Sequence, residues 1–144
     1  MKKLILLLTV LFSLSSYAQK IRETIFEQKF GNLKVRQVRM TDTDSSSYLY
    51  LVLGYRNKAY QYITDNQIIL LTKEDIQEFI TDLINARDYA HNNKAVEWKK
   101  ERYTLCYYDW SDDLFIDSEK KYTTINPKEL IDLIEAVKLL KWER

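Results

Sequence analysis

YLYLVLGYRNKAYQYITDNQIILLTKEDIQEFITDL, residues 48–83, is the stretch on which the reading of the fold turns. Tyr48 to Tyr55 is dense in Leu, Val and Tyr, the residues that pack well on a pleated surface, and reads as a strand. Arg56-Asn57-Lys58 breaks it as a turn, Ala59 to Thr64 reads as its antiparallel partner, and Asp65-Asn66-Gln67 turns the chain again into Ile68 to Leu71. At Thr72 the periodicity changes. Ile76, Phe79, Ile80, Leu83 and Ile84 fall at helical spacing, Thr72 is a suitable N-cap, and Glu74 and Asp75 set negative charge in the first turn. One apolar stripe implies one face against a sheet. The helix should fade near Tyr89, before Ala90-His91-Asn92-Asn93.

The same order recurs 54 residues later, over 102–137, without a gap. Arg102 to Tyr108 reads as a strand, Trp110 to Asp113 as a turn, and Leu114 to Asp117 and Tyr122 to Ile125 as strands. A second helix opens with Asn126 as N-cap and Pro127 at its first position, carrying Leu130, Leu133, Ile134 and Val137 on one face. Exact identities are few, Leu51 with Leu105 and Ile80 with Ile134, so the repeat is one of layout. Upstream, Glu23 to Phe30 and Leu33 to Met40 flank Gly31-Asn32, a pair suited to a tight hairpin, and TDTDSSS (Thr41 to Ser47) is a polar loop. The expected fold is α+β: two β-β-β-α units plus an N-terminal β-hairpin forming one antiparallel sheet, both helices packed on one sheet face.

Strand alternation then assigns the faces. Leu49, Leu51, Leu53, Tyr55, Tyr60 and Tyr62 share the helix side with Tyr103, Leu105, Tyr107, Leu114 and Ile116. The opposite side carries Tyr48, Tyr50, Val52, Gly54, Gln61 and Ile63, matched by Arg102, Thr104, Cys106, Tyr108 and Phe115. That mixture is too aromatic for a merely solvated surface and too polar for a sealed core, which suits a docking face. Tyr48, Tyr50, Tyr108 and Phe115 are the candidate ligand contacts. The competing expectation is that the N-terminal hairpin folds over this face and makes a second, smaller core.

The first eighteen residues read as an export signal: Lys2 and Lys3, an apolar run from Leu4 to Phe12, then Ser16-Tyr17-Ala18 before Gln19. Cleavage is expected between Ala18 and Gln19, leaving residues 19–144 as a single domain that is periplasmic or secreted. The apolar run is short of the ~20 residues that cross a bilayer, and no membrane anchor is expected after cleavage. Loss of residues 1–18 removes Lys2 and Lys3 and no acidic side chain, so 22 basic against 21 acidic residues becomes 20 against 21. That balance gives no dense basic footprint for nucleic acid, and light clusters at Lys99, Lys100 and Arg102 or at Lys120 and Lys121 read as the wet side of strands.

Few catalytic groups are on offer. Cys106, the only cysteine, lies in an apolar run and reads as a buried, inert thiol; His91, the only histidine, sits in a loop. One of each excludes zinc sites built on several Cys or His ligands. Asp42 and Asp44 fall short of a calcium loop. No cofactor and no metal site are expected. Asp109, Asp112 and Asp113 around Trp110 are the only plausible catalytic stock, an acid set with an aromatic platform for a sugar in a periplasmic hydrolase. The leading expectation is a non-enzymatic exported domain that binds a protein or cell-envelope component through the tyrosine-bearing sheet face.

Overall fold

The computed structural model describes residues 21–59, 66–92 and 94–142. The expected leader with its Ala18–Gln19 cleavage point lies outside the described residues, as do Tyr60, Gln61, Tyr62 and Ile63. The chain is α+β. Strands β1 (Ile21–Phe30), β2 (Leu33–Thr41), β3 (Ser47–Arg56) and β4 (Asn66–Leu71) precede helix α1 (Lys73–Tyr89); β5 (Val96–Lys99), β6 (Thr104–Tyr107), β7 (Leu114–Ser118) and β8 (Lys121–Ile125) precede helix α2 (Pro127–Leu139). Each set of four forms an antiparallel sheet in sequential order, and the helices pack against the sheets and against each other.

The expected continuous sheet is thus two sheets, and in the first of them β3 pairs with β2 and β4. Over Leu51–Tyr55 one side of β3 is bonded to β2 and the other to β4, while the expected partner strand Ala59 to Thr64 lies, beyond Ala59, outside the described residues. Asn57, expected in a turn, is buried at the joint between the sheets. Its Oδ1 accepts from Ala59 N (3.0 Å) and Tyr122 N (3.2 Å), while Lys58 N donates to Tyr122 O (2.8 Å) and the Tyr55 hydroxyl to Lys121 O (2.7 Å). A buried amide with two donors on its oxygen is satisfied where a hydrophobic residue would orphan both.

The N-terminal hairpin continues the first sheet in its own plane, turning at Gly31-Asn32 between Phe30 and Leu33. Gly31 has φ +56°, a conformation that favours glycine, and a Cβ placed there would lie 2.7 Å from Glu129 Oε1, so the carboxylate at the start of α2 would have to shift. In β1, Thr24 faces Val38 and Phe26 faces Gln37, leaving Ile25 as a bulged residue. The extra residue brings Phe26 to the helix side, where it packs on the core.

A single core cluster runs through both sheets and both helices, including Leu51, Leu53, Leu71, Phe79, Leu83, Leu105, Ile116, Leu130 and Leu133. Both helices therefore cover the same side of the strand layer. Local signals agree with it: Asn126 and Glu129 exchange reciprocal side-chain to backbone bonds of 2.9 Å at the start of α2, and Thr72 N donates to Asp75 Oδ2 (2.8 Å) at the start of α1. The α1 stripe is rotated from its expected position. Ile80 and Ile84 are half-buried, while Asp82 and Ala86 are buried.

Thr123 in β8 is fully buried, and its hydroxyl has no partner among the described residues. Thr123→Val keeps the shape and deletes the orphaned group, so chemical denaturation should show a gain of about 1 kcal/mol. A loss of that size would mean that the hydroxyl is satisfied.

Candidate functional site

The outer face, opposite the helices, follows from register. In the second sheet Glu97, Cys106, Phe115 and Thr124 lie abreast, as do Lys99, Thr104, Asp117 and Tyr122. Beyond the end of β6 the chain turns through Tyr108 and Trp110, whose rings come back over Phe115. Tyr108 and Trp110 are stacked at 5.4 Å with only 11° between their planes; Phe115 meets Tyr108 edge-on at 4.8 Å and Trp110 at 5.5 Å, and touches Tyr122 at 5.2 Å. Phe115 is 6% exposed, Tyr108 43% and Trp110 71%. A buried ring thus supports two open ones, and a ring with edge and face partners is held in place rather than tumbling in solvent.

This aromatic ridge stands between two hollows. On one side a cleft of about 950 Å³ has Thr104, Cys106, Tyr108 and Asp117 on the outer face of the second sheet and Ile68 and Leu70 on edge strand β4. On the other a hollow of about 770 Å³ is bounded by Trp110, Phe115 and Tyr122 with the polar residues Asn32, Arg56, Asp113 and Thr124. Both lie within the size range of small-molecule sites.

Of the four expected contacts, Tyr108 and Phe115 come together in the ridge. Tyr48 and Tyr50 lie on the first sheet and line a separate hollow of about 260 Å³ with Lys73, Glu74 and Trp142. The outer face is also less open than alternation implied, since Val38, Val52 and Cys106 are buried on it. The hairpin does not lie across this face to bury them; it is paired edge to edge with β3. Trp110 and Tyr122 are the residues that alternation missed. Trp110 is in a turn, outside any strand pattern, and only its proximity in sequence to Tyr108 and Phe115 hinted at a shared cluster.

The acids around Trp110 are dispersed. Asp113 lines the hollow beside Trp110, whereas Asp112 lines a small one with His91, its Oδ1 3.9 Å from His91 Nδ1. His91 is well exposed and takes a positive φ of 74° just after α1, in the segment where the helix was expected to fade. Asp44 is engaged locally, accepting from Ser46 N at 2.9 Å. Among the described residues no group of three or more His, Cys, Asp or Glu is placed to hold a metal ion.

Burial pushes the Cys106 thiol above its ordinary range, against a smaller opposing effect of its hydrogen bond with Tyr108, which keeps it protonated and unreactive at neutral pH. Asp117 is also raised, first by burial and then by the like charge of Glu97. A carboxyl whose folded pKa exceeds its unfolded value carries no penalty below the unfolded pKa and a growing one as pH rises through the folded value. Asp117→Asn should therefore raise the melting temperature at neutral pH, with the gain vanishing below about pH 3. A gain independent of pH would contradict that origin.

Arg102 and Lys100, expected on a wet face, are tied to α1: Arg102 Nε lies 3.1 Å from Asp75, and Lys100 Nζ lies 2.7 Å from Glu78 and 3.7 Å from Asp82. Two of the cations nearest the cleft are thus neutralised from the helix side. No family model matches the chain, and neither a curated protein nor a solved structure shows significant similarity to it.

Proposed function

We propose that this chain is an exported, non-enzymatic binding domain that holds a protein or cell-envelope component against the aromatic ridge of its second sheet. The observation that supports this reading is Trp110: a large ring left 71% exposed and yet braced by Tyr108 and Phe115. Leaving so much apolar area in water works against solubility unless a partner covers it, and exposed aromatic patches on small domains mark such contacts. The ridge takes over the role first given to all four residues: Tyr108 and Phe115 belong to it, and Tyr48 and Tyr50 form a separate, secondary surface.

The reading as a carboxylate hydrolase is less well supported. Paired acids must flank one bond, with carboxyl groups about 5–10 Å apart, and the hollow beside Trp110 draws Asp113 from the set while Asp112 turns to His91. Export rests on the Lys2–Ala18 pattern alone; among the described residues no helix is long and apolar enough to cross a membrane.

Affinity capture from the organism's own envelope extract tests the proposal. Trp110→Ala should abolish capture while changing stability by no more than about 1 kcal/mol, since the ring is mostly in water. Tyr48→Ala/Tyr50→Ala should retain capture. If the Trp110 variant retains its partner and the double variant loses it, the site is on the first sheet.

A further inference from the structure

We propose that the hollow beside Trp110 takes an uncharged oligosaccharide, with pyranose rings stacking on the indole and hydroxyls bonded to its polar rim. This rests on the binding reading above and names the ligand class. The indole is presented as a flat surface: Tyr108 lies parallel behind it and Phe115 meets it edge-on, so the stack is organised before any ligand arrives. Pyranoses offer a flat face of C–H bonds that fits an aromatic plane, and a ring of hydroxyls that demands donors and acceptors together.

The rim supplies both. Asn32, Ser111 and Thr124 each donate and accept, Arg56 and Lys58 donate, and Asp113 accepts, so charges of both signs line one hollow. Such a rim matches neutral hydroxyls better than a run of phosphates, which would call for a one-signed cationic track. Lys58 Nζ already serves Thr124 at 2.7 Å. An extended peptide would need a free strand edge beside the rings, and at Tyr122 on β8 that edge is occupied. The Tyr122 carbonyl accepts from Lys58 N (2.8 Å) and its N–H donates to Asn57 Oδ1 (3.2 Å).

Titration calorimetry of the purified protein with soluble β-1,4-linked hexaoses of glucose and of N-acetylglucosamine tests the assignment, beside oligo-dT and an unstructured peptide of similar length. Chemical shifts of the tryptophan indole N–H groups report which ring is contacted. The expected result is saturable binding of at least one hexaose at millimolar concentration or tighter, a shift of the Trp110 indole, and a tenfold or greater weakening in Trp110→Ala that Trp110→Phe partly restores. Binding of neither hexaose, or binding that Trp110→Ala leaves intact, overturns it. If oligo-dT or the peptide binds through Trp110 instead, the ligand class is wrong and the ridge stands. If envelope capture is also indifferent to Trp110, both fall.

Discussion

Phe79→Ala is expected to cost about 3–5 kcal/mol in chemical denaturation, a large share of the about 5–15 kcal/mol that holds a domain of this size. Phe79 has no exposed surface and sits in α1 with its ring edge-on to Tyr103 at 5.1 Å. Its helix packs against β3 and β4 of the first sheet and β6 of the second, so the cavity would open where the two halves of the core meet. Loss should be seen in one transition by both tryptophan fluorescence and circular dichroism, because one core serves both sheets. Two separated transitions would show that the sheets are independently stable.

Asp82→Ala follows with an expected loss of about 2 kcal/mol. Asp82 is 4% exposed on the core-facing side of α1, where an unpaired carboxylate would not be tolerated, and it accepts the Tyr103 hydroxyl at 2.9 Å. Removing it leaves a buried hydroxyl without an acceptor, a penalty of about 1–3 kcal/mol, offset in part by the better helix propensity of alanine. Lys100 is spared isolation because it keeps Glu78 at 2.7 Å, which is why the loss falls short of a fully buried ion pair. Tyr103→Phe should cost less, and Asp82→Ala/Tyr103→Phe should cost less than the sum of the single changes, since the double variant has neither buried group to satisfy. Strict additivity would mean that the two do not interact.

Asp82 also shows where a sequence stops being legible. Apolar spacing alone placed the buried stripe along Ile76, Phe79, Ile80, Leu83 and Ile84, and gave Asp82 no part in it. The helix is turned so that Asp82 faces inward, because Tyr103 and Lys100, about twenty positions onward, meet it there. Such a pairing is a property of the assembled core and has no local signature. Where the determinants were local, the reading held: Asn126-Pro127 opens α2, Gly31-Asn32 makes the hairpin, and Leu51, Leu53, Tyr55, Leu105, Tyr107, Leu114 and Ile116 all face the core.

Strand partners were less legible. β5 alternates apolar Val96 and Trp98 with charged Glu97 and Lys99, a usable signal, but four residues among lysines were too short to stand out. The pairing of β4 with β3 depends on which segment completes the buried face, and Ile69 and Leu71 do so. Phe115 fell on the outer face as alternation required. Trp110 was invisible to the same rule because a turn residue has no face until the turn is folded.

The proposed binding surface requires Trp110 to be open in the free protein and covered in the complex. Oxidative footprinting of the three tryptophans, read by mass spectrometry with and without captured envelope material, tests this most directly. Trp110 should be modified fastest in the free protein, well ahead of Trp98 and Trp142, and should be protected several-fold in the complex. Equal modification of Trp110 in both states, with protection appearing at Tyr48 or Tyr50 instead, would contradict it.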